Sequence, residues 1–209
     1  RYDHTMRQLL LFLTCTTFSY PSSRSVAICT EMEGQVLREG PVRNGHLRKG
    51  DSIYDGDKII LNENGFLSFM FFGDKTRVDI HSNTIVKVLN SNNNSELKSN
   101  IVLFGGKVIV QMEGNHNQNF RLDAPSSTAI ASNAHFMVEY RSDMMFENLS
   151  YSMFTLLGGE IEIQNLVSET HINLKRGETV MSTREGKFLQ LDTFRNQMFI
   201  EQTLRRKKR

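Results

Sequence analysis

The 209-residue sequence contains no Trp, three Pro and two Cys, and its formal net charge is only +2. Two cysteines cannot build a disulfide framework, so the chain must be held together by a hydrophobic core. Hydrophobic residues make up 39% of the sequence, which excludes an intrinsically disordered or collagen-like chain. A near-neutral charge creates no strong positive field, so we expect no nucleic-acid partner.

The first 27 residues have the three-part layout of a secretory signal peptide. One cation, Arg7, precedes an apolar run over residues 9–18, and small polar residues follow it up to Ser25-Val26-Ala27. The run is too short to span a bilayer. We therefore expect residues 1–27 to be a few upstream residues plus a signal peptide cleaved near Ala27, and the protein to be exported, in a bacterium to the periplasm. A buried N-terminal helix is the alternative.

Cleavage at that point would leave Cys29 as the single cysteine, so no intramolecular disulfide is expected. A lipoprotein signal fits neither cysteine. Cys15 follows Met6 too closely, and the bulky Ile28 stands before Cys29 where a small residue is needed.

One nine-residue phrase occurs twice in the chain. Residues 103–111 read "LFGGKVIVQ" and residues 156–164 read "LLGGEIEIQ". In both, alternating Val or Ile after the glycines predicts a half-buried strand. Two glycines inside a strand indicate a bend or a close backbone approach. We predict that the pairs Gly105, Gly106 and Gly158, Gly159 turn a corner between sheets at the same place in each half.

A second phrase is also repeated, as "LRKGDSI" at residues 47–53 and "LKRGETV" at residues 174–180. It predicts structural turns at Gly50-Asp51 and Gly177-Glu178. The repeats are few and unevenly spaced, which disfavours a long regular solenoid. They favour one all-β domain made of two strand-rich pseudo-repeats.

Between residues 30 and 191, short strand patterns recur every eight to twelve residues with Gly, Asn or Asp between them. This rhythm predicts a single compact β-sandwich or β-helix-like domain over residues 30–191. The Asn-rich residues 90–100 are expected to form an exposed loop.

A change of pattern separates residues 192–209, which we predict to be a short C-terminal helix or tail. Phe194, Met198 and Phe199 with Leu204 would make one apolar stripe on such a helix. The chain then ends in a basic run: Arg205, Arg206, Lys207, Lys208 and Arg209. A terminal basic run is commonly a solvated end, and weak contact with acidic lipid headgroups is the alternative.

The residues that carry chemistry do not form a recognisable catalytic, cofactor or metal motif. The six His show no His-x-His or His-x-x-x-His spacing, and a cupin-type metal centre would need two His two apart followed by Glu. "HFMVEY" supplies only His135 and Glu139. Ser52 in "GDS" lies inside the repeated turn, and the Asp residues near it suit Gly-Asp turns. No catalytic, cofactor or metal residue is therefore predicted.

A cupin-like metal- or carbohydrate-binding enzyme is the competing class. It would be favoured if His135 and His81 came together in the folded protein. A binding module would place its partner elsewhere, at a sheet edge or at the Asn-rich loop.

An ordered series of segments carries a family resemblance over residues 31–182. It runs from "EGQVLRE" through "LRKGDSIYDGDKII" and "LFGGKVIVQM" to "APSSTAIASNAHFMVEY" and "LKRGETV". This series resembles the FecR domain, named for a sensor that regulates bacterial iron uptake. The resemblance implies an exported, non-catalytic interaction module of the bacterial cell envelope, with an envelope protein as partner, in signalling or in envelope assembly.

The sequence departs from that family pattern in three respects. Asn133-Ala134-His135 stand where a Gly-Thr pair is typical. Regulators of this family carry a cytoplasmic anti-sigma region and a membrane helix before the domain, and a further domain after it. We find neither pattern here and expect a standalone FecR-like domain.

Overall fold

The computed structural model describes residues 24–89, 99–113, 119–142 and 150–191. In these ranges every regular element is a β-strand, which confirms the predicted all-β class. The predicted C-terminal helix or tail, its basic run and most of the Asn-rich loop lie outside the described residues. The fifteen strands are β1 (Ser25–Glu33), β2 (Val36–Glu39), β3 (Gly45–His46), β4 (Ser52–Tyr54), β5 (Lys58–Leu61), β6 (Phe66–Phe71), β7 (Arg77–Ile80), β8 (Thr84–Val88), β9 (Ser99–Gln111), β10 (Phe120–Ala124), β11 (Ser127–Ser142), β12 (Ser150–Asn165), β13 (His171–Leu174), β14 (Thr179–Thr183) and β15 (Phe188–Gln190).

The strands form one hydrogen-bonded sheet in which three long strands change neighbours halfway. The first part of β9 pairs with β8 and β10, and its second part pairs with β7 and β11. In β11, the first part pairs with β10 and the second with β9. The first part of β12 pairs with β14, and its last part pairs with β13.

These changes of neighbour divide the sheet into two layers that share β9, β11 and β12. Layer A has the order β4-β1-β6-β7-β9-β11-β12-β14-β15. Layer B has the order β3-β2-β5-β8-β9-β10-β11-β12-β13. Among the described strands only β9 and β10 pair in parallel. The architecture is therefore a sandwich whose layers are joined through bent strands.

The core lies between the two layers. Phe120 of layer B makes edge-to-face contacts with Phe71 and Phe136 of layer A, with ring centroids 6.0 and 6.4 Å apart. Inward residues alternate with partly exposed ones, as in β8 and β10, where every second side chain is buried. A fully buried Phe or Ile contributes roughly 1.5–3 kcal/mol, so this interface supplies the main stabilisation.

The first strand begins earlier than the sequence predicts. Ala27 pairs with Ile53 of β4 and with Phe71 of β6, and its side chain is fully buried. The predicted signal cleavage near Ala27 thus falls inside β1. The sheet begins at Ser25, before the predicted domain boundary at residue 30.

Candidate interaction surface

The second glycine of each repeated Gly-Gly pair forms a tight corner. Gly106 has a φ of +92°, and an ideal Cβ there would lie 2.6 Å from the carbonyl oxygen of Asn83. Gly159 has a φ of +76°, and its Cβ would lie 2.1 Å from the carbonyl oxygen of Asn133. Real Cβ atoms do not approach backbone this closely, so only glycine fits either position.

The first glycine of each pair has a different environment. A Cβ on Gly105 or Gly158 would meet nothing within 4 Å, and neither residue has a positive φ. Asn83, just before β8, faces the first corner, and Asn133, in β11, faces the second. Both asparagines have a left-handed backbone, with φ of 56° and 48°. The two corners are therefore built in the same way, with one glycine that needs its position and one that does not.

The two predicted Gly-acid turns also share their hydrogen bonds. The amide of Asp51 donates to the carbonyl of Arg48 (3.0 Å), and the Asp51 carboxylate accepts from the Arg48 amide (2.9 Å). Glu178 makes the same two contacts with Lys175, at 3.0 and 2.8 Å. Gly50 and Gly177 have φ of 86° and 88°. A positive φ at the third residue with this backbone bond is the geometry of a type II turn.

Each of these turns docks on a strand of layer A. The Gly50 amide donates to the carbonyl of Cys29, and the Gly177 amide donates to the carbonyl of Leu156, both at 2.8 Å. Arg43 pairs with the Asp51 carboxylate at 2.9 Å. Burial tends to raise the pKa of Asp51, but the hydrogen bond from the Arg48 amide and the bond and charge of Arg43 outweigh it, so the pKa is lowered.

A third turn of the same design lies at residues 54–57. Its Asp57 accepts from the Tyr54 amide (2.9 Å), and its Gly56 has a φ of 88° and donates to the carbonyl of Val88 (2.9 Å). The sequence analysis quoted Gly56-Asp57 within the family series but did not predict that it repeats the turn at Gly50-Asp51. The signal for this repeat was a second Gly-Asp pair six residues after the first.

Sequence reasoning missed Arg38 altogether. Its side chain is 1% exposed; Nη1 donates to the carbonyl of Ser52 (2.8 Å) and lies 3.7 Å from Asp57 Oδ2. Asp57 is fully buried, and this burial raises its pKa, against the opposing pull of the Tyr54 amide and of Arg38. Arg38 of layer B thus joins the edge strand β4 of layer A. Nothing in "VLRE" distinguishes it from a surface arginine.

The residues weighed for metal chemistry are not brought together. The His81 amide donates to the carbonyl of Lys107, whereas His135 pairs with Gln111. These two positions on β9 are four residues apart, which is about 13 Å along a strand. Within the described ranges no group of three His, Cys, Asp or Glu residues is placed to hold a metal ion.

A cluster of buried hydroxyl groups joins the two layers near β14. Ser126 Oγ contacts Ser152 Oγ (2.6 Å) and donates to the carbonyl of Ser182 (2.9 Å), and Asn165 Nδ2 donates to Ser182 Oγ (2.7 Å). Within the described part of the chain, the hydrogen bonds of this cluster are made by hydroxyl groups, one side-chain amide and backbone carbonyls. Such a network satisfies buried polar groups and positions the layers.

Among the described strands, β9 carries an exposed aromatic side chain, Phe104, which is 49% exposed. Ile85 of β8 pairs with Gly105, but the next residue, Val86, pairs with Leu103. Phe104 is therefore the extra residue of a β-bulge. Bulges re-aim a side chain and are frequent beside functional sites.

Around Phe104, the outward face of layer B carries two rows of side chains. One row is apolar and crosses the strands through the pairs Leu37–Ile60 and Ile60–Ile85. The other is charged and follows the pairs Glu39–Lys58 and Lys58–Lys87. We name the combined area the Phe104 surface: Leu37, Glu39, Lys58, Ile60, Ile85, Lys87 and Phe104.

The Phe104 surface carries a net positive charge. Glu39 Oε2 accepts from Lys58 Nζ at 3.1 Å, which compensates one of the two lysines. The described residues give Lys87 no carboxylate partner. Side chains of Glu39, Lys58, Ile85, Lys87 and Phe104 line one shallow open depression. The arrangement suits contact with another molecule through its apolar row and its lysines.

Within the ranges that the structure covers, we find no helix with the length and hydrophobicity needed to cross a bilayer.

Part of the chain matches a known family. Residues 57–147, fewer than half of the 209, match the family described as FecR protein. This stretch covers β5 to β11 and includes the first corner, Asn83, Asn133 and Phe104. It confirms the predicted FecR resemblance in the central part of the chain.

Comparison with solved structures gives a likeness of fold. Two crystal structures of a candidate anti-sigma factor from Parabacteroides distasonis ATCC 8503, at 1.65 and 2.50 Å resolution, superpose with a TM-score of 0.52. Their sequence identities to this chain are 15% and 14%. Each match covers 65% of this chain but only 59% of the solved chain. A search of curated proteins gave no match.

Proposed function

We propose that this chain, which carries a FecR-like domain, is a non-catalytic binding module of signalling in the bacterial cell envelope. The single observation that carries the proposal is the Phe104 surface. A bulge turns a large aromatic ring outward there, beside an apolar row and Lys87, for which the described residues provide no carboxylate partner. The family match over residues 57–147 and the fold shared with the candidate anti-sigma factor support a role in signalling.

The partner would be another envelope protein. The predicted signal peptide supports export to the periplasm, where such a protein would be met. The partner's contact area would contain an apolar side chain and at least one carboxylate. The apolar group would cover Phe104 and Ile85, and the carboxylate would face Lys87. Covering the exposed half of a Phe ring is worth roughly 2 kcal/mol by its area, so Phe104 would be an anchor of the interface.

Several features support a non-catalytic role. His81 and His135 contact their strand neighbour β9 at Lys107 and Gln111, four residues apart. Ser52 begins β4 directly after the first of three turns of one design, and its carbonyl accepts a hydrogen bond from Arg38. These residues are all used for structure in the described part of the chain.

Site-specific photo-crosslinking in living bacteria tests this proposal. A crosslinking amino acid at Phe104 is expected to trap one discrete envelope protein, which mass spectrometry then identifies. The same group at Phe72 is the matched control, because Phe72 is 54% exposed but lies outside the Phe104 surface. Equal capture at both positions would overturn the proposal.

Charge reversal gives a second, independent arm. Lys87→Glu is expected to weaken binding to the captured protein at least tenfold, and a carboxylate→Lys change in that protein is expected to restore it. Added salt should also weaken binding, because salt screens exposed ion pairs. Binding that is indifferent to Lys87→Glu and to salt would show that this surface is not the site. The identity of the captured protein distinguishes signalling from envelope assembly.

A further inference from the structure

The outward face of layer A carries an apolar area that is buried. Cross-strand pairing puts Ile109, Met137, Thr155 and Thr179 in one row across β9, β11, β12 and β14, with Met153 and Met181 as the neighbouring pair. Five of these residues are almost inaccessible: Ile109 at 8%, Met137 at 1%, Met153 at 8%, Thr155 at 0% and Thr179 at 1% exposure. We name these five residues the outer patch.

The outer patch is separate from the core between the layers. Phe136, Val138 and Phe154 belong to the core cluster, and side chains alternate along a strand, so Met137, Met153 and Thr155 point the other way. Ile109, Met137 and Met153 are not part of that cluster. The oxygen atoms of Thr155 and Thr179 bond to each other (2.9 Å), which leaves their methyl groups for apolar contact.

This burial requires a cover. A sheet face that is not packed against another layer is normally open to water. Every described strand already belongs to layer A or layer B, and none of them packs over the outward face of layer A. These exposures are those of a single chain, so the cover must be a segment of that chain other than the described strands.

We propose that residues 192–209 of this chain fold over the outer patch. The amide of Leu191 donates to the carbonyl of Thr179 (3.1 Å), so the chain leaves the described structure beside a patch residue. The next eighteen residues contain Phe194, Met198, Phe199 and Leu204. Their apolar stripe provides the complementary side chains.

The length of this segment fits the distance. As a helix, eighteen residues would extend about 27 Å. From β14 across β12 and β11 to β9 are three strand spacings, or about 14 Å. The basic residues 205–209 would then lie past β9, where Asp79 of β7 and Glu31 of β1 lie in one row with Ser68. Arg77 pairs with both carboxylates, so this row keeps one net negative charge to face the basic residues.

The other segments outside the described ranges fit less well. Residues 143–149 join β11 to β12 next to the pair Ser142–Ser150, and the pair Met137–Thr155 is five positions further along, about 17 Å away. A seven-residue loop reaches only about 12 Å from its base before it must return. Residues 114–118 contain no hydrophobic side chain. Residues 1–23 fall within the predicted signal peptide, which export would remove.

Oxidation of methionine by hydrogen peroxide tests the proposal, because it reports access to the sulfur atom. The readout in the intact chain is the oxidation rate of Met137 relative to that of Met112, which belongs to the core cluster and serves as an internal standard. A chain that stops after Leu191 is expected to show at least a fivefold higher ratio. A full-length Phe194→Ser/Met198→Ser variant is expected to show a rise in the same direction. Gln202→Ser/Thr203→Ser is the matched control and is expected to leave the ratio unchanged.

The ratio remains informative if a variant is less stable, since general unfolding raises both rates. A ratio that stays within twofold in the truncated chain and in the Phe194→Ser/Met198→Ser variant would overturn the proposal. Two other occupants give distinct results that also overturn it. A rise on removal of residues 1–23 would identify that segment as the cover, and a ratio in the intact chain that falls with protein concentration would identify a second copy.

Discussion

Gly106 and Gly159 occupy equivalent corners of the fold, each pressed against the carbonyl of a left-handed asparagine. The partner of Gly106 is Asn83, and the partner of Gly159 is Asn133. The first corner bends β9 and the second bends β12, and at both points the strand passes from one layer to the other. Local backbone conformation and long-range packing thus impose the same requirement for glycine.

Gly106→Ala and Gly159→Ala are each expected to destabilise the protein by about 2–4 kcal/mol, because a Cβ would combine a strained φ with a clash against backbone. Gly105→Ala and Gly158→Ala are the matched controls, with open space and no positive φ, and should change stability by less than about 1 kcal/mol. Urea unfolding of the four variants measures this. Equal losses at both positions of a pair would contradict the assignment of the corner residue.

The Gly-acid turns should be more tolerant than the corners. Gly50 and Gly177 have positive φ, but a Cβ would meet nothing within 4 Å at either. Gly50→Ala and Gly177→Ala are therefore expected to cost about 1 kcal/mol each, from backbone strain alone. Gly73→Ala, at an open position without positive φ, is the control and should be close to neutral. Thermal unfolding of the three variants makes the comparison, and a loss at Gly50 as large as at Gly106 would contradict it.

Arg38 is expected to be among the most sensitive positions in the chain. Arg38→Met removes the donor to the Ser52 carbonyl and leaves the Asp57 carboxylate buried without its cation, which costs about 3–5 kcal/mol. Arg38→Met/Asp57→Asn should recover part of this loss, because the uncompensated charge is gone. A double-mutant cycle from urea unfolding gives the coupling. If the two single losses simply add, the ion pair has no energetic role.

The same aspartate should give a specific pH dependence. Burial raises the folded-state pKa of Asp57 above its usual 3.8, so its contribution to stability is present below that value and is lost as pH rises through the folded-state pKa. Asp51 has the opposite effect. Because its folded-state pKa is lowered, its contribution to stability is present above 3.8 and is lost as pH falls below that value. Above pH 3.8, Asp57 is therefore the relevant one of the two.

Asp57→Asn tests this dependence, because Asn keeps an oxygen for the Tyr54 amide but does not titrate. The wild-type protein should gain more stability than the variant when pH is lowered from 7 to 4, just above the usual pKa of 3.8. Urea unfolding at the two pH values gives both differences. Identical pH responses of the two proteins would exclude Asp57 as the source.

The sequence predicts a residue's structural role where that role depends on its neighbours along the chain, and not where it depends on tertiary contacts. The all-β class follows from alternation within single strands, and the repeated Gly pairs revealed where β9 and β12 bend. Which glycine of each pair meets its neighbour depends on Asn83 and Asn133, and those contacts are set by tertiary packing. Likewise, no local pattern marks Arg38 as buried, because its partners Ser52 and Asp57 come from other segments.

Phe104 shows the same limit at the candidate site. It lies in an apolar stretch where alternation alone says nothing about a bulge. The bulge arises because β8 and β9 shift register between Ile85 and Val86, which is a property of the pair of strands. The binding face was accordingly expected at sheet edges or in the Asn-rich loop, whereas the Phe104 surface lies on the face of layer B.

The place of signal cleavage is open to a direct test. Removal of Ser25 to Ala27 would delete the first pairs of β1 with β4 and β6 and leave a cavity at buried Ala27. We therefore expect the exported protein to retain Ser25, with cleavage upstream of it. Amino-terminal sequencing of protein purified from the periplasm measures the position. A mature chain beginning at Ile28 would show that the fold forms without the start of β1.

Strand β9 hydrogen-bonds to four others, β7, β8, β10 and β11, two on each side of its corner. Neither pseudo-repeat can complete its layers without it, so the two halves are one indivisible folding unit rather than separable lobes. A protease cut between residues 90 and 98 should accordingly yield two fragments that stay associated on gel filtration and separate only in denaturant.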